Sequence, residues 1–266
     1  MSATNTVAGT DARLRMMSRV RIVLAYVAQA RYELLHGLRS PQMILFTVLF
    51  PMMFYVLVGI VFGPFRHPDR DVRLYVLIGF ITMAVMTPGF SSFSGVLAVE
   101  REKGLYTLRR ALPMPTGADM FAKTVTVLMC VCLVVPVLIV MGRFLGHVEL
   151  APRQTAALWA LSLFGALPFS ALGSVIGMYA SPRAVPAIVN LLMIPMLYLS
   201  GALFPLPDSL AWLSRMMPPF YLQQLMLAAA GAPHRFVVGT SAHVALLLGL
   251  TATFALLTFR RFRTVG

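Results

Sequence analysis

Charged residues are scarce in this sequence, at 12% of 266 residues against 59% hydrophobic ones. A mean hydropathy of +0.81, with apolar runs of about twenty residues, exceeds what a water-soluble core of this length needs. A soluble globular fold is therefore excluded. Within the long runs no Asp, Glu, Lys or Arg lies away from the ends. One placed centrally would cost about 2.5–3.5 kcal/mol on insertion, and proton pumps and ion-coupled carriers work through such residues. Their absence argues against both. Cysteine is almost missing: Cys130 and Cys132 stand two apart in one apolar run, where a helix points them in different directions. That spacing supports neither a disulfide framework nor a metal site. The five histidines form no pair at a ligand spacing, and the chain holds no G-x-x-x-x-G-K-[ST] loop, no H-E-x-x-H and no G-x-S-x-G elbow. No catalytic residue, metal or cofactor site is expected, and the chain reads as something other than an enzyme.

What is present is a series of apolar runs at about 43–63, 74–99, 124–142, 154–180, 185–204 and 240–259. The expected fold is all-α and membrane-embedded, with a polar and basic tail over 1–24 and a single transmembrane unit over 25–266. The opening residues are polar and then basic, with no short apolar region and cleavage site, so the first span is expected to serve as its own insertion signal. Ahead of it, Val27, Ala30, Leu34 and Leu38 form one stripe and Gln29, Glu33 and His36 another, predicting an amphipathic interfacial helix over 25–39 that Ser40-Pro41 ends.

Basic residues near span ends tend to stay in the cytoplasm. With the N-terminus inside, fifteen Lys and Arg fall in inner segments and seven in outer ones, so both termini are expected to be cytoplasmic. The net charge of +13 fits this topology and an attraction to anionic lipid, and no nucleic-acid partner is expected. Each of the first five runs holds an interior proline, Pro51, Pro88, Pro136, Pro168 and the pair Pro186 and Pro195. Each removes a backbone hydrogen bond, through plain packing or as a point of movement. Gly173 and Gly177 form a small-xxx-small pair suited to close helix contact.

Against so little charge, the block VEREKGLYTLRRALPMP at 99–115 stands out. Leu105, Leu108 and Leu112 recur at helical spacing beside Arg101, Glu102 and Arg109, and Pro113 and Pro115 stop the segment before the chain re-enters the bilayer. A docking surface on the inner side, over 100–123, explains this better than an ordinary basic loop.

At these residues the sequence resembles the membrane subunits of ABC-type exporters, the permeases of bacterial drug, lipid-linked glycan and polysaccharide export, which share a fold with eukaryotic multidrug and sterol half-transporters. Glu100-Arg101-Glu102-Lys103-Gly104, followed by Leu108, Arg110, Ala111, Leu112 and Pro113, is similar to that family's E-R-E-x-G-T-L-E-x-L-x-x-x-P motif. It departs from it at Leu105-Tyr106-Thr107 and at the doubled Arg109-Arg110. A second likeness lies after the fifth run, in Ser200 and Gly201, Leu203, Phe204 and Pro205, Trp212 and Leu213, and Pro219 with Tyr221.

The resemblance implies a six-span subunit with a re-entrant helical segment between spans five and six, in a bacterial inner membrane. It also implies a second permease copy in a homodimer or related pair, and a separate cytoplasmic ATPase that carries the ATP and Mg. By the same resemblance, Glu100, Arg101, Glu102, Lys103, Gly104, Leu108, Arg109 and Arg110 couple to that ATPase. Spans two and five line the substrate path through Phe80, Met83, Met86 and Phe90 and through Asn190, Met193, Met196 and Leu197, and Leu203 and Phe204 close the exit. The implied cargo is hydrophobic or amphipathic: a drug, a lipid or a glycan. A self-sufficient secondary transporter or channel is the alternative reading; it would normally carry an intramembrane ionisable residue or an internally repeated bundle.

Overall fold

In the computed structural model, which describes residues 19–39, 45–61, 67–105, 117–233 and 239–265, every regular element is helical. The N-terminal helix α1 spans Arg19–Arg39, beginning earlier than the expected 25. A π-helical turn, Leu45–Leu49, leads into α2, Phe50–Val61. The Asp71 backbone N–H donates to Asp69 Oδ1 (2.9 Å) and so caps α3, Arg70–Thr87. A π turn at Pro88–Ser92 and α4, Phe93–Glu102, continue the same rod. Then come α5 (Ala118–Phe144), α6 (Pro152–Tyr179) and α7 (Val185–Leu199). A short 3-10 turn and α8 (Ala211–Ser214) precede α9 (Pro218–Ala230) and α10 (Thr240–Val265).

Four of the described helices are long and apolar enough to cross a membrane: Arg70–Glu102, Ala118–Phe144, Pro152–Tyr179 and Thr240–Arg261. Thr47–Val61 and Val185–Leu199 are apolar but shorter. At 1.5 Å per residue the 15 residues of α7 reach only about 22 Å, below the roughly 30 Å of a hydrocarbon core. The fifth run was expected to stay helical to 204. It stops at Leu199 because Gly201 takes a left-handed backbone (φ +74°) and turns the chain. Between α7 and α10 the described residues form a 3-10 turn, α8 and α9, and α9 buries Leu222 to Leu227 against α6 and α3.

The α3–α4 rod is the centre of the molecule. Nearly every side chain from Leu74 to Phe90 is buried, packed against α2, α5, α6 and α9. Pro88 supplies no N–H, so the ladder widens: the Phe93 N–H reaches back to the Pro88 carbonyl. Around the break, the Thr87 hydroxyl donates to the Met83 carbonyl (2.8 Å), the Ser91 hydroxyl to the Thr87 carbonyl (2.6 Å) and the Ser94 hydroxyl to the Phe90 carbonyl. Side-chain hydroxyls thus serve carbonyls that no lipid could satisfy.

Glycine sets the closest approach to this rod. A Cβ on Gly173 would stand 2.0 Å from the Gly89 carbonyl oxygen, and one on Gly177 would stand 2.7 Å from that of Ser94. The small-xxx-small pair of α6 is therefore a packing device, as its spacing predicts.

Candidate functional site

One end of the bundle gathers the few charges this chain has. Asp119 and Lys123 stand four apart on the first turns of α5 and so share a face. That face meets α1 and the end of α4. Lys123 Nζ lies 2.7 Å from Asp119 Oδ1, 2.9 Å from Glu100 Oε2 and 3.1 Å from Glu33 Oε1, with its side chain only 4% exposed. Gln29 Nε2 adds a longer bond to Asp119 Oδ1 at 3.4 Å. An ammonium so deeply buried is tolerable when carboxylates surround it. The carboxylate oxygens of Glu33, Glu100 and Asp119 lie within 4.8 Å of one another, and the Lys123 ammonium occupies the position a cation would take among them.

The α1 stripe that looked polar in the sequence therefore points into the protein at Glu33 and Gln29. Val23, Leu24 and Val27 of the same helix are exposed.

Arg101 turns the other way, onto α6. Its guanidinium donates to the Met178 carbonyl and, at 2.7 Å, to the Ala180 carbonyl. These are end carbonyls with no partner in the helix, and a cation at a helix C-terminus is favoured by the dipole. Glu102 and Lys103 remain exposed. Gly104 then turns the chain with a left-handed backbone (φ +66°), its N–H bonded to the Arg101 carbonyl at 3.1 Å. A Cβ there would touch nothing within 4 Å, so the backbone angle alone favours glycine.

The charged block was expected to begin a helix of its own. Instead Glu100 to Glu102 form the last turn of the α3–α4 rod, and Gly104 ends it. Of the coupling residues read from the sequence, Glu100 and Arg101 are engaged inside the protein, while Glu102, Lys103 and Gly104 lie at the surface turn. Leu108, Arg109 and Arg110 fall outside the described residues.

At the far end of α7, Leu203 and Phe204 lie past the helix where the chain bends, Leu203 half-buried against the core and Phe204 46% exposed. The backbone before them is held firmly. The Tyr75 hydroxyl donates to the Gly201 carbonyl, and Gln223 Nε2 donates to the Ala202 carbonyl at 3.0 Å. A Cβ on Gly79 would stand 2.1 Å from that Ala202 oxygen. Beside this hold, Leu203 and Phe204 line a cavity of about 370 Å³ with Val58, Tyr75, Val76 and Leu227.

The residues expected to face a substrate are distributed differently. Phe80, Met83, Met86 and Phe90 are at most 5% exposed and belong to the core of the protomer. On α7, Met193 and Leu197 are buried and Met196 half-buried, while Asn190 is exposed. The open face of α7 runs through Asn190, Leu191, Ile194 and Tyr198.

The sequence reading did not pick out Lys123 and Asp119 as a pair. Two signals were available: Lys123 is one of only two lysines in an arginine-rich chain, and Asp119 precedes it by four.

A Bacillus subtilis (strain 168) protein named "Putative transport permease YvfS" is 24% identical over 198 residues, covering 73% of this chain and 80% of that protein. The ABC-2 type transporter profile matches residues 25–230, from within α1 through the end of α9. The match thus takes in both the buried charge cluster and the segment at Leu203 and Phe204, and the chain belongs to the ABC-2 type transporter family, as a membrane permease.

Proposed function

We propose that this chain is the translocating subunit of an exporter driven by a separate cytoplasmic ATPase, and that it moves a hydrophobic or amphipathic molecule across a bacterial inner membrane. Membership of the ABC-2 family implies the partner ATPase. The observation that carries the reading is the Lys123 cluster with the Arg101 bonds. Together they join α1, α4, α5 and the end of α6 into one rigid end. The rod leaves that end through exposed Glu102 and Lys103 and leads into the segment where Leu108, Arg109 and Arg110 lie. A force applied by the ATPase at this turn would reach all four helices, with both termini on the same cytoplasmic side. ATP binding moves the permease only if the ATPase favours one of its conformations over the other.

Six crossings follow if α2 and α7 traverse the bilayer with their flanking segments. The face of α7 left exposed among the described residues, with Leu191 73% and Tyr198 52% exposed, fits a second permease copy, and Asn190 would then stand beside a path between the two. The buried Phe80, Met83, Met86 and Phe90 would join that path only after the rod moves. Leu203 with Phe204 suits an apolar closure at the exit, since burying each large side chain is worth about 1.5–3 kcal/mol.

The test is reconstitution in proteoliposomes. The chain alone is expected to hydrolyse no ATP and to move no cargo uphill; adding the partner ATPase with Mg and ATP is expected to give both. Uphill export by the chain alone would overturn the proposal in favour of a self-sufficient carrier.

A further inference from the structure

At the end of the bundle opposite Lys123, α3 begins beside the end of α5. Arg70 and Arg73 from the first turn of α3, Arg143 and Phe144 from the last turn of α5, and His147 and Glu149 beyond it line a cavity of about 520 Å³. Arg70 is already engaged: Nη2 donates to the Glu149 carbonyl oxygen at 3.1 Å, and Nη1 lies 3.9 Å from Asp71. Arg73 and Arg143 have no carboxylate partner among the described residues, and the buried Nε of Arg73 meets no acceptor. Three guanidiniums therefore face one lining carboxylate, Glu149.

Concentrating arginine here runs against the basic bias of the other end, and the two helices supply it from separate connections of the chain. Guanidinium forks match the tetrahedral oxygens of a phosphate and bind them through paired, charge-assisted hydrogen bonds. The cavity is larger than a lone phosphate needs. Phe144, 73% exposed, and Leu145, 42% exposed, lie next to it where a long apolar helix ends, which is the depth of lipid headgroups and the first acyl carbons.

The geometry points to a binding site for the phosphate of an anionic lipid headgroup, held by Arg73 and Arg143 with Arg70 behind them and with the acyl chains lying along Phe144 and Leu145. The site requires only that α3 and α5 cross a bilayer, whatever cargo the protein exports.

The full chain, reconstituted in nanodiscs of phosphatidylcholine containing a minor share of phosphatidylglycerol, can be released and weighed by native mass spectrometry. Wild type is expected to retain phosphatidylglycerol preferentially. The double variant Arg73→Gln/Arg143→Gln is expected to retain it about tenfold less. Arg153→Gln, an exposed arginine on the same side but outside the cavity, is expected to match wild type. Equal retention by wild type and the double variant would overturn the site. Displacement of the lipid by inorganic phosphate at comparable concentration would overturn the lipid assignment and leave a free-anion site. Should the double variant aggregate, exposed Arg143→Gln alone decides by the same readout.

Discussion

Lys123 is the residue on which one end of the molecule is built. Replacing it by methionine leaves Glu33, Glu100 and Asp119 buried around an apolar side chain. Removing one member of a buried ion network costs about 3–5 kcal/mol, because the charges left behind have lost both water and partner. Lys123→Met is therefore expected to lower the thermal unfolding midpoint of the full chain in detergent by many degrees. Glu102→Gln, on the exposed turn, is expected to stay within about 0.5 kcal/mol of wild type. Equal shifts for the two variants would mean that α1 is held to α5 by its apolar contacts instead. This residue-level detail is what the sequence could not disclose. Glu100 and Glu102 look equivalent in a list of charges; only a lysine on another helix, Lys123 of α5, decides that one turns inward while the other stays in water. The periodicity that marks Glu33 as part of a polar stripe likewise says nothing about which stripe meets protein.

At the scale of elements the apolar runs were more informative, because length and hydropathy are local properties. The runs at 124–142, 154–180 and 240–259 correspond to α5, α6 and α10, and the run at 74–99 to the core of the α3–α4 rod. The fifth run misled because hydropathy continues through Ala202-Leu203-Phe204 while the backbone turns at Gly201. Pro88 signalled a break in the rod, though not that the break would be a π turn within a rod that runs on to Glu102.

The hold on the segment before Leu203 yields an element-level test. A methyl at Gly79 collides with the Ala202 carbonyl, so either α3 or the segment before Leu203 must give way. In a background without Cys130 and Cys132, Gly79→Ala is expected to raise, several-fold, the rate at which a cysteine placed at Leu203 reacts with a membrane-impermeant thiol reagent. Gly95→Ala, which meets nothing within 4 Å, is expected to leave that rate unchanged. If the two glycine variants label alike, the close approach at Gly79 does not set the position of Leu203.

For the whole molecule, the rod from Arg70 to Glu102 matters most. Its 33 residues extend about 50 Å, from the contacts of Tyr75 and Gly79 with Gly201 and Ala202 to the charge cluster at Glu100, with one irregular turn at Pro88–Ser92. The family's division of labour, with chemistry on one protein and passage through another, needs such a connection between the two faces of the membrane. The buried position of Phe80 to Phe90 fits it: a side chain in the middle of the rod is best packed when the rod moves as one piece.

That continuity has a consequence in time. If the rod is stiff, its two ends cannot follow separate clocks, and whatever sets the pace at one surface sets it at the other. Spin labels at Val72 and at Lys103, both exposed at opposite ends, are then expected to report a single exchange rate during turnover, in the microsecond-to-millisecond range of collective helix motion. Two distinct rates would place the slow step in the π turn, and make Pro88 a joint with a rhythm of its own.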